Sequence, residues 1–99
     1  MAYKIVLLER AEIEIKDAYD WYEKQSKGLG DRFLKVLNQY KSAILVNPKL
    51  FKCTFKNFRE VFLQTFPFLL VYHIDEINKE IIIVSVFHSS RNPKEKYKS

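Results

Sequence analysis

Lys52, Lys56, Arg59, His88 and Arg91 are the side chains of this sequence that could act on a phosphate. Lysine and arginine stabilise charge developing on phosphoryl oxygens, and an imidazole moves protons near neutral pH. Brought together, they would form a cationic patch able to cleave a phosphodiester. The same patch suits plain phosphate contact, which needs only positive charge and donors. Arg59, His88 and Arg91 are therefore the candidates for a catalytic role, and all of these residues are candidates for binding a target or a nucleic acid. His73 falls mid-strand and reads as a packed or edge residue. Other chemistries lack their parts. Two histidines and the single Cys53 have no metal-ligand spacing, and there is no Gly-rich phosphate loop or nucleophile elbow. Glu12 with Glu14, and Asp17 with Asp20, read as solvated helix charges. Cys53 reads as a small buried strand residue. The sequence calls for no metal and no cofactor.

Charge is unevenly spread. The net charge is +5. Residues 1–47 carry eight basic and seven acidic side chains, whereas residues 48–99 carry nine basic and five acidic. Between Lys49 and Arg59 there are four positive charges and no acid, and the segment from Arg91 to Lys98 adds four more against Glu95. A local excess of this kind favours an acidic partner, either nucleic acid or an acidic polypeptide. A lone cysteine fits a reducing compartment. The four apolar residues 5–8 are too few for a signal sequence, and the longest apolar runs fall far short of a membrane span, so the expected location is cytoplasmic.

The elements that must position these groups follow from hydrophobic period. Residues 3–9 alternate and read as a strand. Residues 10–25 then recur at helical spacing through Ala11, Ile15, Ala18 and Tyr22, which leaves Ile13 and Trp21 outside the stripe as possible docking positions. Both glycines of the chain, Gly28 and Gly30, break the pattern. A second helix over residues 31–46 has its stripe at Phe33, Val36/Leu37, Tyr40 and Ala43/Ile44, and Asn47-Pro48 ends it. So short a linker implies an antiparallel helical hairpin. Residues 51–56 and 59–66 read as strands, the first half-buried. Residues 66–74 and 81–88 form a hairpin across a short polar turn, apolar on both faces and therefore central to the sheet. The length allows one domain spanning residues 1–99. Its fold class is α+β: an N-terminal strand, an αα-hairpin, then three or four strands forming a twisted, mostly antiparallel sheet with the helices on one face. The opposite face is also apolar, so another element or a partner chain is expected to cover it.

Several stretches together carry a resemblance. They are Ala11 through Trp21-Tyr22-Glu23, Gly28-Leu29-Gly30-Asp31-Arg32-Phe33, Asn47-Pro48, Arg59, Phe66-Pro67-Phe68 with Tyr72, and the ending His88-Ser89-Ser90-Arg91-Asn92-Pro93. In order and spacing the chain resembles the RelE/ParE superfamily of type II toxin–antitoxin toxins, often called plasmid stabilisation proteins. The resemblance implies the topology above. It also implies an acidic, partly disordered antitoxin that wraps the toxin in a hetero-oligomer, for which Ile13 and Trp21 are the candidate contacts. RelE-like members are ribosome-dependent mRNA endonucleases whose strand equivalent to residues 68–72 typically carries an Arg at the scissile phosphate. Aligned through Tyr72, this chain has Leu69 there, which cannot supply the charge. ParE-like members are known as inhibitors of DNA gyrase and are not nucleases, and the Trp21-Tyr22-Glu23 helix and the His88…Arg91 ending resemble that branch. The resemblance thus implies a ParE-like toxin. The alternatives are a RelE-like nuclease acting on ribosome-bound messenger, and a decayed toxin that only binds its antitoxin.

Overall fold

The structure is a computed structural model that describes residues 2–90, so Arg91 lies outside the described residues. The chain runs β1 (Lys4–Leu7), α1 (Glu9–Gln25), α2 (Leu29–Val46), β2 (Cys53–Phe55), β3 (Phe58–Phe62), β4 (Phe68–Asp75) and β5 (Glu80–His88). The five strands form one sheet in the order β1-β5-β4-β3-β2; β1 lies parallel to β5, and the other neighbours are antiparallel. The architecture is the expected α+β layer, with the β4–β5 hairpin inside the sheet.

The helical stripes fall where their spacing puts them. Ala11, Ala18 and Tyr22 of α1, and Phe33, Leu37 and Ile44 of α2, are buried against Leu70, Tyr72, Ile81 and Ile83 of the sheet. The Trp21-Tyr22-Glu23 motif divides its labour. Tyr22 enters the core. Glu23 turns back, and its carboxylate accepts the backbone N–H groups of Gly28 and Gly30 at 2.8–3.2 Å. These are donors that the first turn of α2 cannot satisfy itself, and negative charge is favoured there. Gly30 must be glycine, because a Cβ would stand 2.7–2.8 Å from the Glu23 and Tyr19 side chains and from the Tyr19 carbonyl. Gly28 adopts a φ of +89°, which suits the turn between the helices.

Three readings of the sequence need correction. The strand over residues 59–66 stops at Phe62. Thr65 takes a φ of +73°, and the tight loop folds Leu63 and Phe66 into the core ahead of Pro67, which has no N–H for a ladder. The strand at residues 51–56 shrinks to three residues, exposed throughout, and Cys53 is exposed on it, with its thiol 3.1 Å from the Lys56 carbonyl. Finally, the centre of the far sheet face needs no outside cover. Leu69, Val71, Val84 and Phe87 are already buried in this chain, Leu8 and Phe58 pack against them, and the Arg10 guanidinium lies 6.0 Å over the Phe87 ring.

Candidate functional site

One irregularity decides which groups meet. Val71 opposes Ser85, but Tyr72 opposes Ile83, so Val84 is an extra residue and β5 carries a bulge. The bulge shifts the alternation by one. Ile81 and Ile83 face the helices before it, and Val86 faces them after it, with His88 following two residues on. His88 opposes Phe68, and the two rings meet edge to face at 5.0 Å. A polar residue inside an apolar run, Ser85, is the only hint of the bulge in the sequence.

Where the bulge leaves the sheet edge open, α1 takes over. β1 makes its last bond to β5 from the Leu8 N–H to the Ile83 carbonyl. Beyond it, Glu14 Oε1 accepts the Val86 N–H at 3.0 Å and the Ser85 hydroxyl at 2.7 Å, while Oε2 pairs with Arg10 Nε at 3.2 Å. Glu14 is therefore no solvated helix charge; it caps a strand edge. Its lost hydration is offset by three donors, one of them cationic.

Above this junction lies a cavity of about 310 Å³. Asp17 and Trp21 border it from α1, Tyr22 and Phe68 form its floor, and His88 and Ser90 close one end. The Ser90 N–H donates to His88 Nδ1 at 3.1 Å, and the Ser90 hydroxyl lies 2.7 Å from the same nitrogen. In the neutral ring the proton is thereby held on Nε2. No lysine or arginine among the described residues lines this cavity.

The basic candidates stand elsewhere. Arg59 opposes Tyr72 on β3, whereas His88 opposes Phe68. They are four residues apart along β4 and two strands apart across the sheet, hence about 13 Å by about 10 Å. Arg59 is committed locally. It donates to the Phe51 carbonyl at 2.8 Å, and the Tyr72 hydroxyl donates to the Pro48 carbonyl at 2.7 Å, so the two tie down the loop after α2. Burial pushes the Tyr72 phenol above its ordinary pKa, and the nearby Arg59 charge partly opposes that. Lys52 and Lys56 sit at the β2–β3 hairpin. Lys56 adopts a φ of +50° in the turn, with its ammonium 5.4 Å from the Phe55 ring centre. Phe55 and Phe62 nearby are 45% and 65% exposed. His73 packs edge to face on Phe58 at 5.8 Å, as a structural residue would.

Two surfaces of different character result. The β2–β3 edge is basic and aromatic. The α1 helix is mixed: it carries Glu9, Glu12, Glu14, Asp17, Asp20 and Glu23 against Arg10, Lys16 and Lys24, with Glu14 and Glu23 bound to backbone N–H groups and Lys16 paired with Asp20. Ile13 and Trp21 stand out from it, 52% and 57% exposed. The structure thus brings Trp21 and His88 to one cavity and groups Lys52 and Lys56 at another place.

A family model described as the ParE toxin of the type II toxin–antitoxin system parDE matches residues 5–93. No curated protein sequence matches the chain. Among solved structures, a chain of the chromosomal ParDE toxin–antitoxin system from P. aeruginosa is 14% identical, with a TM-score of 0.73 over 87% of this chain and 95% of that one. A mutant form of the E. coli toxin RelE in complex with an antitoxin RelBc peptide is 21% identical, with a TM-score of 0.71 over 98% of this chain and 92% of that one. A chain of the intact E. coli RelBE toxin–antitoxin complex is 19% identical, with a TM-score of 0.64 over 91% of this chain and 100% of that one.

Proposed function

The chain belongs to the ParE toxin family of type II toxin–antitoxin systems, and from that premise we propose that it acts in the cytoplasm by gripping a macromolecular target such as DNA gyrase, and that an acidic cognate antitoxin neutralises it. The observation that carries the non-nucleolytic reading is the separation of the groups a ribonuclease would gather. His88 lies with carboxylates and aromatics on β5, while Arg59 is two strands across and four residues along, bound to the Phe51 carbonyl, and Lys52 and Lys56 flank the edge strand β2. General acid–base chemistry on a phosphate needs imidazole and cation within hydrogen-bond reach of one substrate. Leu69, where the RelE-like pattern expects the phosphate-binding arginine, is buried in an apolar cluster with Val71, Val84 and Phe87.

The β2–β3 edge suits the antitoxin. β2 is a short, exposed edge strand, and Lys52 and Lys56 have no acidic partner among the described residues. An extended acidic segment could add to that edge, covering Phe55 and Phe62 while its charges meet the lysines. Among the described residues no helix is long and apolar enough to cross a membrane.

The test is induction of the gene alone and together with its antitoxin frame, followed by supercoiling and ribosome-dependent cleavage assays on one preparation. Growth arrest relieved by the antitoxin, stalled supercoiling and intact messenger are expected. Codon-dependent messenger cuts would establish the nuclease instead. Normal growth in both inductions would leave only an antitoxin-binding module.

A further inference from the structure

We infer that the outer edge of β1 and the flank of α2 beside it form a docking surface for a second copy of this chain, paired about a two-fold axis. The inference goes beyond the toxin reading and uses neither the β2–β3 edge nor the cavity at His88.

β1 ends the sheet on the side opposite β2. Its parallel ladder to β5 engages alternate residues: the Lys4 N–H donates to the Lys79 carbonyl and the Leu8 N–H to the Ile83 carbonyl, both at 3.1 Å. Ile5 and Leu7 therefore turn their N–H and C=O groups away from β5, where no strand lies among the described residues. The last described residues leave in the other direction, since the Ser89 N–H donates to the Pro67 carbonyl on the β4 side of β5. The two sheet edges are guarded differently. β2 has Lys52 and Lys56 at its ends and a register shift within it. β1 carries one charge, Lys4, and that is paired with Glu80 at 3.4 Å, so only its shortness guards it.

A register for the second copy follows from the ladder. In an antiparallel pair the residues that exchange both bonds are those whose backbone groups face the partner. Ile5 then meets Leu7 of the second copy, Leu7 meets Ile5, and Val6 sits on the axis, so every outward group finds a partner and the edge is complementary to itself. An axis normal to the sheet keeps both helical layers on one face and brings the two α2 helices together. Their facing flank is suited to this. Leu34, Asn38, Ser42 and Leu45 recur at helical spacing on the flank beside the core stripe of Phe33, Leu37 and Ile44. Antiparallel α2 helices set Leu34 against Leu45 of the second copy, with the small polar Asn38 and Ser42 between.

Charge selects the occupant. The groove beside Ile5 and Leu7, about 460 Å³, has one acid and one base on its rim, Glu12 and Lys41. A balanced rim favours neither an acidic nor a basic peptide. Glu12 also borders the neighbouring groove at Leu7, Ile15 and Leu34, whereas Lys41 lies at the end with Ile5 and Leu45. The two-fold axis reverses the groove and brings Glu12 of each copy to Lys41 of the other.

Sedimentation equilibrium of the purified full chain tests this, and a concentration-dependent monomer–dimer equilibrium is expected. Leu45→Lys, at an exposed helical position, should weaken it about tenfold and leave the melting temperature in place. Glu12→Lys and Lys41→Glu should each weaken it about tenfold by setting like charges face to face. An equimolar mixture of those two variants should recover the affinity as a mixed dimer, because each charge then meets its opposite. A contact within one chain cannot produce that recovery. A monomer at every concentration, a dimer indifferent to these substitutions, or a mixture no tighter than its components would overturn the inference. So would a monomer that loses antitoxin binding on Leu45→Lys, which would give the groove to the antitoxin.

Discussion

Phe33 and Phe62 are the same residue in opposite circumstances. Phe33 is fully enclosed by Tyr22, Phe66 and Phe68, with ring centres 5.2–5.5 Å away. Phe62 stands on β3, 65% exposed, at the sparsely covered edge of the same sheet. The difference lies in neighbours: both sit on a regular element, Phe33 on α2 and Phe62 at the last position of β3. Tyr22 of α1 and Phe66 and Phe68 from the sheet side close over the first, while the second lies beyond the β2 pairing, which ends at Arg59. Stability is concentrated at the helix–sheet layer, and the edge is left free to meet something else.

The largest expected effect tests the first half of that contrast. Phe33→Ala should cost about 3–5 kcal/mol, the range for deleting a buried aromatic ring. A domain of this size has a total stability of about 5–15 kcal/mol, so the variant should melt far below the parent or fail to fold. Thermal and urea unfolding would measure it. A cost under about 1 kcal/mol would mean that the aromatic knot does not organise the core.

Next comes Glu14→Ala, which removes the acceptor for the Val86 N–H and the Ser85 hydroxyl and the carboxylate that faces Arg10 Nε. The expected cost is about 1–3 kcal/mol. Amide exchange at Val86 should accelerate relative to Ile83, which β1 still protects. Equal exchange at the two would show that the strand edge is held by something other than this carboxylate.

Glu14 also marks where sequence reading stops. Apolar stripes on both helices, the central hairpin and the alternation of Phe68, Leu70 and Tyr72 against Leu69 and Val71 all follow from period, because burial of a face repeats with the backbone. A bulge has no period. It moves Val86 to the helix side, so strict alternation through β5 fails after Ile83, and with it any forecast of what His88 meets. Glu14 and Arg59 are legible in the sequence only as charges. Their partners are a strand edge 71 residues away and the carbonyl of Phe51, and no spacing encodes those. The described members of the expected cationic constellation stand apart for the same reason: nearness to a strand end in sequence does not say where on the sheet a residue falls, and the register puts Arg59 two strands across and four residues along from His88, while Arg91 lies outside the described residues.

Smaller still is Tyr72→Phe, which keeps the buried ring and deletes only the hydroxyl that the Pro48 carbonyl accepts. The loss should be about 1 kcal/mol. Because the loop after α2 is tied by Arg59 as well, the urea slope should not change. A much larger loss would make this loop part of the core and erase the boundary between the two regions.

Phe62→Ser should have the smallest effect on folding, within about 0.5 kcal/mol, since the ring is largely in water in the folded state too. Its value lies in the pairing with Lys52→Glu and Lys56→Glu. If the edge is where the acidic antitoxin docks, all three substitutions leave the melting curve in place yet weaken antitoxin binding. The lysine changes should also flatten its salt dependence, because they remove charge, whereas Phe62→Ser should not. A surface kept apolar and basic at no gain to the fold has its physical reason in what it binds. Should Phe62→Ser instead lower stability as far as a buried phenylalanine does, the edge would belong to the core, and the antitoxin would need another place to sit.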